Sequence, residues 1–322
     1  MLGAAAQQSP PTSRFLGPKR MSLSGLFESE NSLYSIGISN GYLVGFERPT
    51  PNVHLYSLAN AGTSVTRFSL PDGATIVLQA ATVDSDARIL VTGAYLKRPS
   101  GELTTFVGKM DVGGRVLFKL DLADYGPSQI CVAPDGSFWT LGESRSKESS
   151  GQDYDMLRSY RADGVFKQAY FSRRSLAQTA VALHPRDHPF GKGDTPAFLS
   201  CGDTSVGVLI GDPGSQLWVE VTVGNGVVQV WSVHSTADAR ILGVALLSQS
   251  TVFATIAPVS ARADELLPLS RLSLMNDGSA IWTEAPRRPR NLYGRLVGAD
   301  SGKLVVLRRS LKEPPLLFWD QP

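Results

Sequence analysis

The hydrophobic positions fall in short runs of period two, broken by polar turns that end in Gly. In Leu217-Trp218-Val219-Glu220-Val221, apolar Leu217, Val219 and Val221 alternate with Trp218 and Glu220, the period of a strand rather than of a helix. Such runs come in pairs about a glycine: 53–58 and 65–70 about Gly62, 105–110 and 116–120 about Gly114, 156–160 and 165–170 about Gly164. Two more are 217–221 and 227–231 about Gly226, and 270–274 and 280–282 about Gly278. The five glycines stand 52, 50, 62 and 52 residues apart. Asp-Gly and Asn-Gly between alternating runs predict hairpins, with φ > 0 expected at Gly164 and Gly226.

A second pair of apolar runs precedes each hairpin. These span 34–46 around Asn40-Gly41, 80–95 around Asp84-Ser85-Asp86, 129–141 around Asp135-Gly136, and 180–201 around 184–196. The last two span 243–256 around Ser248-Gln249-Ser250 and 294–307 around Asp300-Ser301-Gly302. Their continuous apolar character is that of strands buried on both faces. Two hairpins per unit make four strands, and four-stranded sheets repeated radially are the blades of a β-propeller. The predicted fold is therefore all-β: a six-bladed β-propeller with four-stranded blades, forming one domain over residues 14–322. The sixth unit is one strand short, because the chain ends soon after Leu316-Leu317-Phe318-Trp319. Residues 13–23 are expected to supply that strand and close the ring, leaving no open edge. A two-domain β-sandwich protein, the alternative, does not account for a Gly turn every 50–52 residues. The unit is longer than the WD40 repeat of about 40–45 residues and lacks its Gly-His…Trp-Asp pattern.

The third unit, Ile130-Cys131-Val132-Ala133-Pro134-Asp135-Gly136-Ser137-Phe138-Trp139-Thr140-Leu141-Gly142-Glu143, resembles the repeat of NHL and streptogramin-lyase-type propellers. The other units match it in outline. The resemblance implies a propeller; streptogramin lyases act through histidine and a metal-binding acid. His54, His184, His188 and His234 stand on no matching motif, so that activity is not carried over.

Composition narrows the function classes. Lys+Arg 31 against Asp+Glu 29 leaves a net charge of +2, too little to draw the whole molecule onto nucleic acid or an anionic membrane. No 18-residue apolar window occurs, so no membrane-spanning helix is expected. Cys131 and Cys201 match no metal spacing, and their apolar surroundings predict buried free thiols. Residues 1–13 read either as a disordered tail or as the remnant of a secretory signal, with small residues at Ala4 and Ala6 before a Pro-rich stretch. The second reading implies export to a periplasm or the medium; the first leaves the chain cytoplasmic.

The loops entering each inner strand, and those between second and third strands, share one face of a propeller. On the predicted strands this face carries Arg48, Arg98, Arg145, Arg173, Arg174, Arg287, Arg288 and Arg308. Guanidinium forks suit carboxylates and phosphates, so an anionic ligand or acidic protein partner is the candidate. Solvated loop charge is the plainer account, since Glu102, Glu148, Asp264 and Glu313 share these loops. Glu47, Glu143 and Asp203, placed near second-strand ends, are the candidate Ca²⁺ ligands, though salt bridging explains them as well. His184-Pro185-Arg186-Asp187-His188 reads as a loop insertion, because Pro185 and Pro189 disfavour a helix. No cofactor is expected, and no hydrolase, nucleotide-binding or dinucleotide fingerprint occurs. The resulting expectation is a monomeric, non-enzymatic binding propeller. The alternative is a propeller enzyme, a metal-assisted lyase or lactonase-like hydrolase.

Overall fold

A computed structural model describes residues 19–22, 33–60, 62–70, 73–97, 99–144, 154–172, 175, 197–211, 216–235, 239–258, 260, 269–284, 295–308 and 316–320. The elements within them are twenty-four β-strands. Strand β1 (Lys19–Ser22) is followed by β2 (Leu33–Ser39), β3 (Tyr42–Glu47), β4 (Asn52–Ser57) and β5 (Thr63–Arg67). The next four are β6 (Ile76–Val83), β7 (Ile89–Leu96), β8 (Leu103–Met110) and β9 (Val116–Leu122). Then come β10 (Tyr125–Val132), β11 (Phe138–Ser144), β12 (Leu157–Tyr160) and β13 (Phe166–Ala169). The sequence continues with β14 (Phe198–Cys201), β15 (Ser205–Ile210), β16 (Gln216–Thr222) and β17 (Val228–His234). After these lie β18 (Ala239–Ser248), β19 (Thr251–Pro258), β20 (Leu269–Leu274) and β21 (Ser279–Glu284). The chain finishes with β22 (Arg295–Asp300), β23 (Lys303–Arg308) and β24 (Leu316–Asp320).

Consecutive strands pair as antiparallel meanders. Strands β2–β5, β6–β9 and β10–β13 each make a four-stranded sheet, and β22, β23, β24 and β1 make another in that order. N-terminal β1 lies antiparallel to β24, with Lys19 opposite Trp319 and Ser22 opposite Leu316. Both chain ends thus meet in one sheet, as the missing strand in the sequence requires. Strands β14–β17 and β18–β21 are joined into one eight-stranded sheet by a short parallel pairing of β17 with β21, Ser232–His234 against Ser279–Ile281.

The first strand of each meander touches the next around a closed circuit, β2 to β6 to β10 to β14 to β18 to β22 and back to β2. The core is correspondingly divided. Val44, Phe46, Phe68, Leu78 and Phe106 fill the gap between β2–β5 and β6–β9, while Leu43, Tyr56, Val305 and Leu307 fill the gap between β2–β5 and the sheet carrying β22–β24. The middle strands β7 and β15 are buried almost throughout, whereas fourth strands such as β5 and β13 are mostly exposed. That gradient follows from packing sheet against sheet round an axis, with one outermost strand left to solvent.

Hairpin turns follow the predicted register: Gly114, Gly164, Gly226 and Gly278 have φ of 86°, 92°, 69° and 82°. Two expectations are corrected. In the fourth unit 198–201 pair with 205–210 as the first of four strands rather than serving as the second, and the expected strand at 180–183 lies outside the described residues. The run Val206-Gly207-Val208-Leu209-Ile210, which the predicted strands 180–201 and 217–221 leave between them, is wholly buried, and Gly207 makes room for Trp218, whose ring would lie 2.1 Å from a Cβ there. Free thiols are also overturned: Cys131 on β10 and Cys201 on β14 form a disulfide with Cα atoms 5.8 Å apart. Closure of the circuit sets these neighbouring strands side by side, although 70 residues separate the two cysteines.

Candidate binding site

The six first strands enclose an axial cavity of about 610 Å³. Five of them carry a register shift against their partner, near Gly37, Gln79, Ser128, Leu242 and Val297. A bulge bends the strand and turns one residue out of the ladder. Here it exposes the carbonyls of Leu78 and Leu242 to side chains from neighbouring sheets. Arg48, just past β3, donates Nε–H to Leu78 O at 3.2 Å and Nη2–H to Gln79 Oε1 at 2.8 Å. Arg295, opening β22, donates Nε–H to Leu242 O at 3.0 Å. Both cations clamp neighbouring sheets, and both stand at the same end of the cavity.

The opposite end is built from the turns between first and second strands. Asp300 Oδ1 accepts the Gly41 amide at 3.0 Å, and Asn40 Nδ2 and Ser39 Oγ each donate to Val83 O at 2.7 Å. Asp203 is exposed at this end. In the wall, the Gln129 amide spans β10 and β14, donating to Ala197 O and accepting the Leu199 amide at 2.7 Å. The Cys131–Cys201 disulfide lies in the same wall. The cavity therefore has Arg295 at one end, Asp203 and Asp300 at the other, and amides, hydroxyls and apolar groups between.

The predicted site residues are distributed unevenly. Arg48 lies in the connection between β3 and β4, bonded to the cavity-lining Gln79. Arg308 closes β23. Arg98, Arg145, Arg173, Arg174, Arg287 and Arg288 lie outside the described residues, as does the segment from His184 to His188. Glu47 ends β3 and is engaged locally: Oε1 meets His54 Nε2 at 2.6 Å, and Oε2 accepts from Thr50 at 2.6 Å and Asn52 at 2.9 Å. The Thr50 hydroxyl holds its carboxyl below the usual glutamate value, aided by Asn52 and His54 and opposed by burial. Glu143 is half-buried near the end of β11. Asp203 is not at a second-strand end; it sits in the β14–β15 turn, at the other end of the cavity from Glu47 and Glu143. The three acids thus do not form one cluster. No group of three or more His, Cys, Asp or Glu that could hold a metal ion occurs among the described residues. Arg295 went unrecognised as a site residue, since its bulge partner Leu242 is 53 residues away.

No family model matches the chain, and no curated protein matches it. Among solved structures, U3-55K is similar at 10% identity over 94% of this chain and 99% of its own, with a TM-score of 0.51. A PQQ-bound aldose sugar dehydrogenase from Streptomyces coelicolor is 12% identical over 94% of this chain and 98% of its own, TM-score 0.47. A luciferin-regenerating enzyme is 8% identical over 95% of this chain and 96% of its own, TM-score 0.49. Likeness at such identity speaks to architecture alone, and with the sheets above it makes this chain an all-β protein of the β-propeller fold.

Proposed function

We propose that this is an exported six-bladed propeller that binds, without catalysis, an anionic ligand or acidic partner on the loop face where Arg48 and Arg295 stand. On this reading the eight-stranded sheet is two blades whose outer strands touch, and the repeat is of the NHL type suggested by residues 130–143. The carrying observation is the polarity of the axial cavity, with Arg295 at one end, Asp203 and Asp300 at the other, and Arg48 bonded to the lining residue Gln79. Positive charge gathered at one end, between low-dielectric walls, focuses a local field on an anion approaching that end. The disulfide supports the exported reading, because such bonds persist in oxidising compartments.

The test is a thermal-shift screen of small organic acids, phosphate and acidic peptides, since binding to the native state raises apparent stability. A saturable shift is expected, weakened when salt shortens the Debye length from about 10 Å to about 3 Å. Replacing Arg173, Arg174, Arg287 and Arg288 by Ser should weaken it further. A ligand whose affinity survives both changes overturns the electrostatic reading.

A further inference from the structure

Among the described residues lining the axial cavity, only Asp203, Arg295 and Asp300 are charged. Arg295 opens β22 and Asp300 closes it, so the two stand at opposite mouths. At about 3.3 Å per residue they lie about 16 Å apart along the strand. Asp203, in the β14–β15 turn, shares the Asp300 mouth, with β18 standing between the two sheets. It is exposed and enters no hydrogen bond or ion pair among the described residues. Asp300 accepts the Gly41 amide at 3.0 Å and the Ser301 hydroxyl at 3.3 Å, both neutral donors. This mouth is negative, and no lysine, arginine or histidine among the described residues lines it.

A buried hydroxyl stands at the same mouth. Thr82 of β6 lines the cavity and is 5% exposed, yet its hydroxyl makes no hydrogen bond among the described residues and is not sealed from solvent. It precedes Val83, whose carbonyl takes the Ser39 and Asn40 side chains beside Asp300. Buried hydroxyls are seldom left unpaired, and one beside uncompensated carboxylates marks a place for a donor. An ammonium brings three donors and one positive charge, whereas Ca²⁺ takes about six to eight oxygens. The wall between the mouths suits peptide groups. Ile36, Gln79, Ser128, Leu242 and Val297, which the bulges turn out of their ladders, all line the cavity. A bulge leaves its extra residue outside the ladder, so backbone polar groups are available along the lumen.

We propose that the axial cavity takes a short linear peptide with free termini, its carboxylate toward Arg295 and its ammonium at the mouth formed by Asp203, Asp300 and Thr82. The inference rests on the anionic-ligand reading above and deepens it, the anion being the C-terminal carboxylate of the peptide. An extended chain spans about 3.3–3.6 Å per residue, so about four or five residues bridge the two mouths. The cavity volume of about 610 Å³ falls within the roughly 300–1,000 Å³ usual for ligand sites. Asp300 and the Thr82 hydroxyl accept from the ammonium, and Asp203 adds to the field that draws it in.

The experiment titrates tetraglycine, its N-acetyl and C-amide forms, and diglycine into the full chain at constant ionic strength, following calorimetric binding and the melting temperature. Saturable binding of tetraglycine is expected, and blocking either terminus or shortening to diglycine should weaken it tenfold or more. Asp203→Asn, Thr82→Val, and Asp300→Asn, which keeps an acceptor for Gly41, should each weaken tetraglycine several-fold. None should weaken the N-acetyl form, a selectivity that a merely structural role would not give. Cooperative melting of each variant without peptide establishes folding, and the exposed Asp203→Asn change keeps the test falsifiable should Thr82→Val fail to fold. N-acetyl tetraglycine binding as tightly as the free peptide overturns the ammonium site and leaves the anionic-ligand reading intact. The C-amide binding as tightly sinks the anionic-ligand reading and the two-ended peptide with it. Equal binding of diglycine, or no saturable binding by any of these peptides, overturns the proposal alone, and the acid screen above then decides the anionic reading.

Discussion

Severing the Cys131–Cys201 bridge should remove a large share of the stability of this chain. The bond ties neighbouring first strands, β10 and β14, across 70 residues of sequence. Releasing a loop of that length returns loop-closure entropy to the unfolded chain. The chain-entropy relation puts the effect at about 4 kcal/mol at 25 °C. Unfolding entropy of about 2.1 cal/mol/K per residue gives about 0.6 kcal/mol/K for a domain of this size, so the melting temperature should fall by about 7 °C. The assay is differential scanning calorimetry of parent and Cys131→Ser/Cys201→Ser protein, with thiol titration of the denatured parent. Cys131 and Cys201 are half-buried and both among the residues lining the axial cavity, so a small reductant should convert parent into the behaviour of the variant. Two free thiols in protein prepared under oxidising conditions would refute the reasoning. So would a shift below about 1 °C, which would mean that the unfolded chain is not constrained by this loop.

Three further outcomes follow from the packing. Gly243→Ala places a Cβ 2.0 Å from Leu296 O, and overpacking against backbone should cost about 1–3 kcal/mol, whereas Gly37→Ala, with nothing within 4 Å, should be nearly neutral; urea midpoints compare them. Lys109→Met strands the Asp84 carboxylate, 2.7 Å from Lys109 Nζ and almost fully buried, and should cost about 3–5 kcal/mol in the same assay. The lowered Glu47 pKa means its stabilisation is complete above the unfolded glutamate value of about 4.3 and is lost as pH falls through the lower folded value. The melting-temperature gap between parent and Glu47→Gln should therefore narrow on acidification, and a gap that widens would contradict the assignment.

Local rules made the hairpins legible. Asp163-Gly164 and Asn225-Gly226 needed no knowledge of distant residues, and both turns fall where the alternation places them. The outer strand of the last sheet was legible by counting strands. Other features depend on closure of the circuit, which no local pattern encodes. Cys131 and Cys201 each look like a small apolar residue in an apolar run until β10 and β14 are neighbours. Val206–Ile210 falls in the stretch left between predicted strands, because the continuous apolar run from Ala180 takes the first-strand position and 197–201 the second. Arg48 was readable as a loop-face cation, but its bond to Leu78 O depends on a bulge in the next sheet.

The central claim is that the two chain ends meet in one sheet to close the circuit around the axial cavity. Its most direct test is the melting temperature of protein lacking residues 14–24, measured beside protein lacking residues 1–11. Removing β1 strips its pairing from β24 and bares an edge, so a large drop is expected for the first deletion and almost none for the second. A synthetic peptide of residues 14–24, added in trans, should restore part of the loss in a concentration-dependent way. Equal melting temperatures for the two truncations would contradict closure by the N-terminal strand.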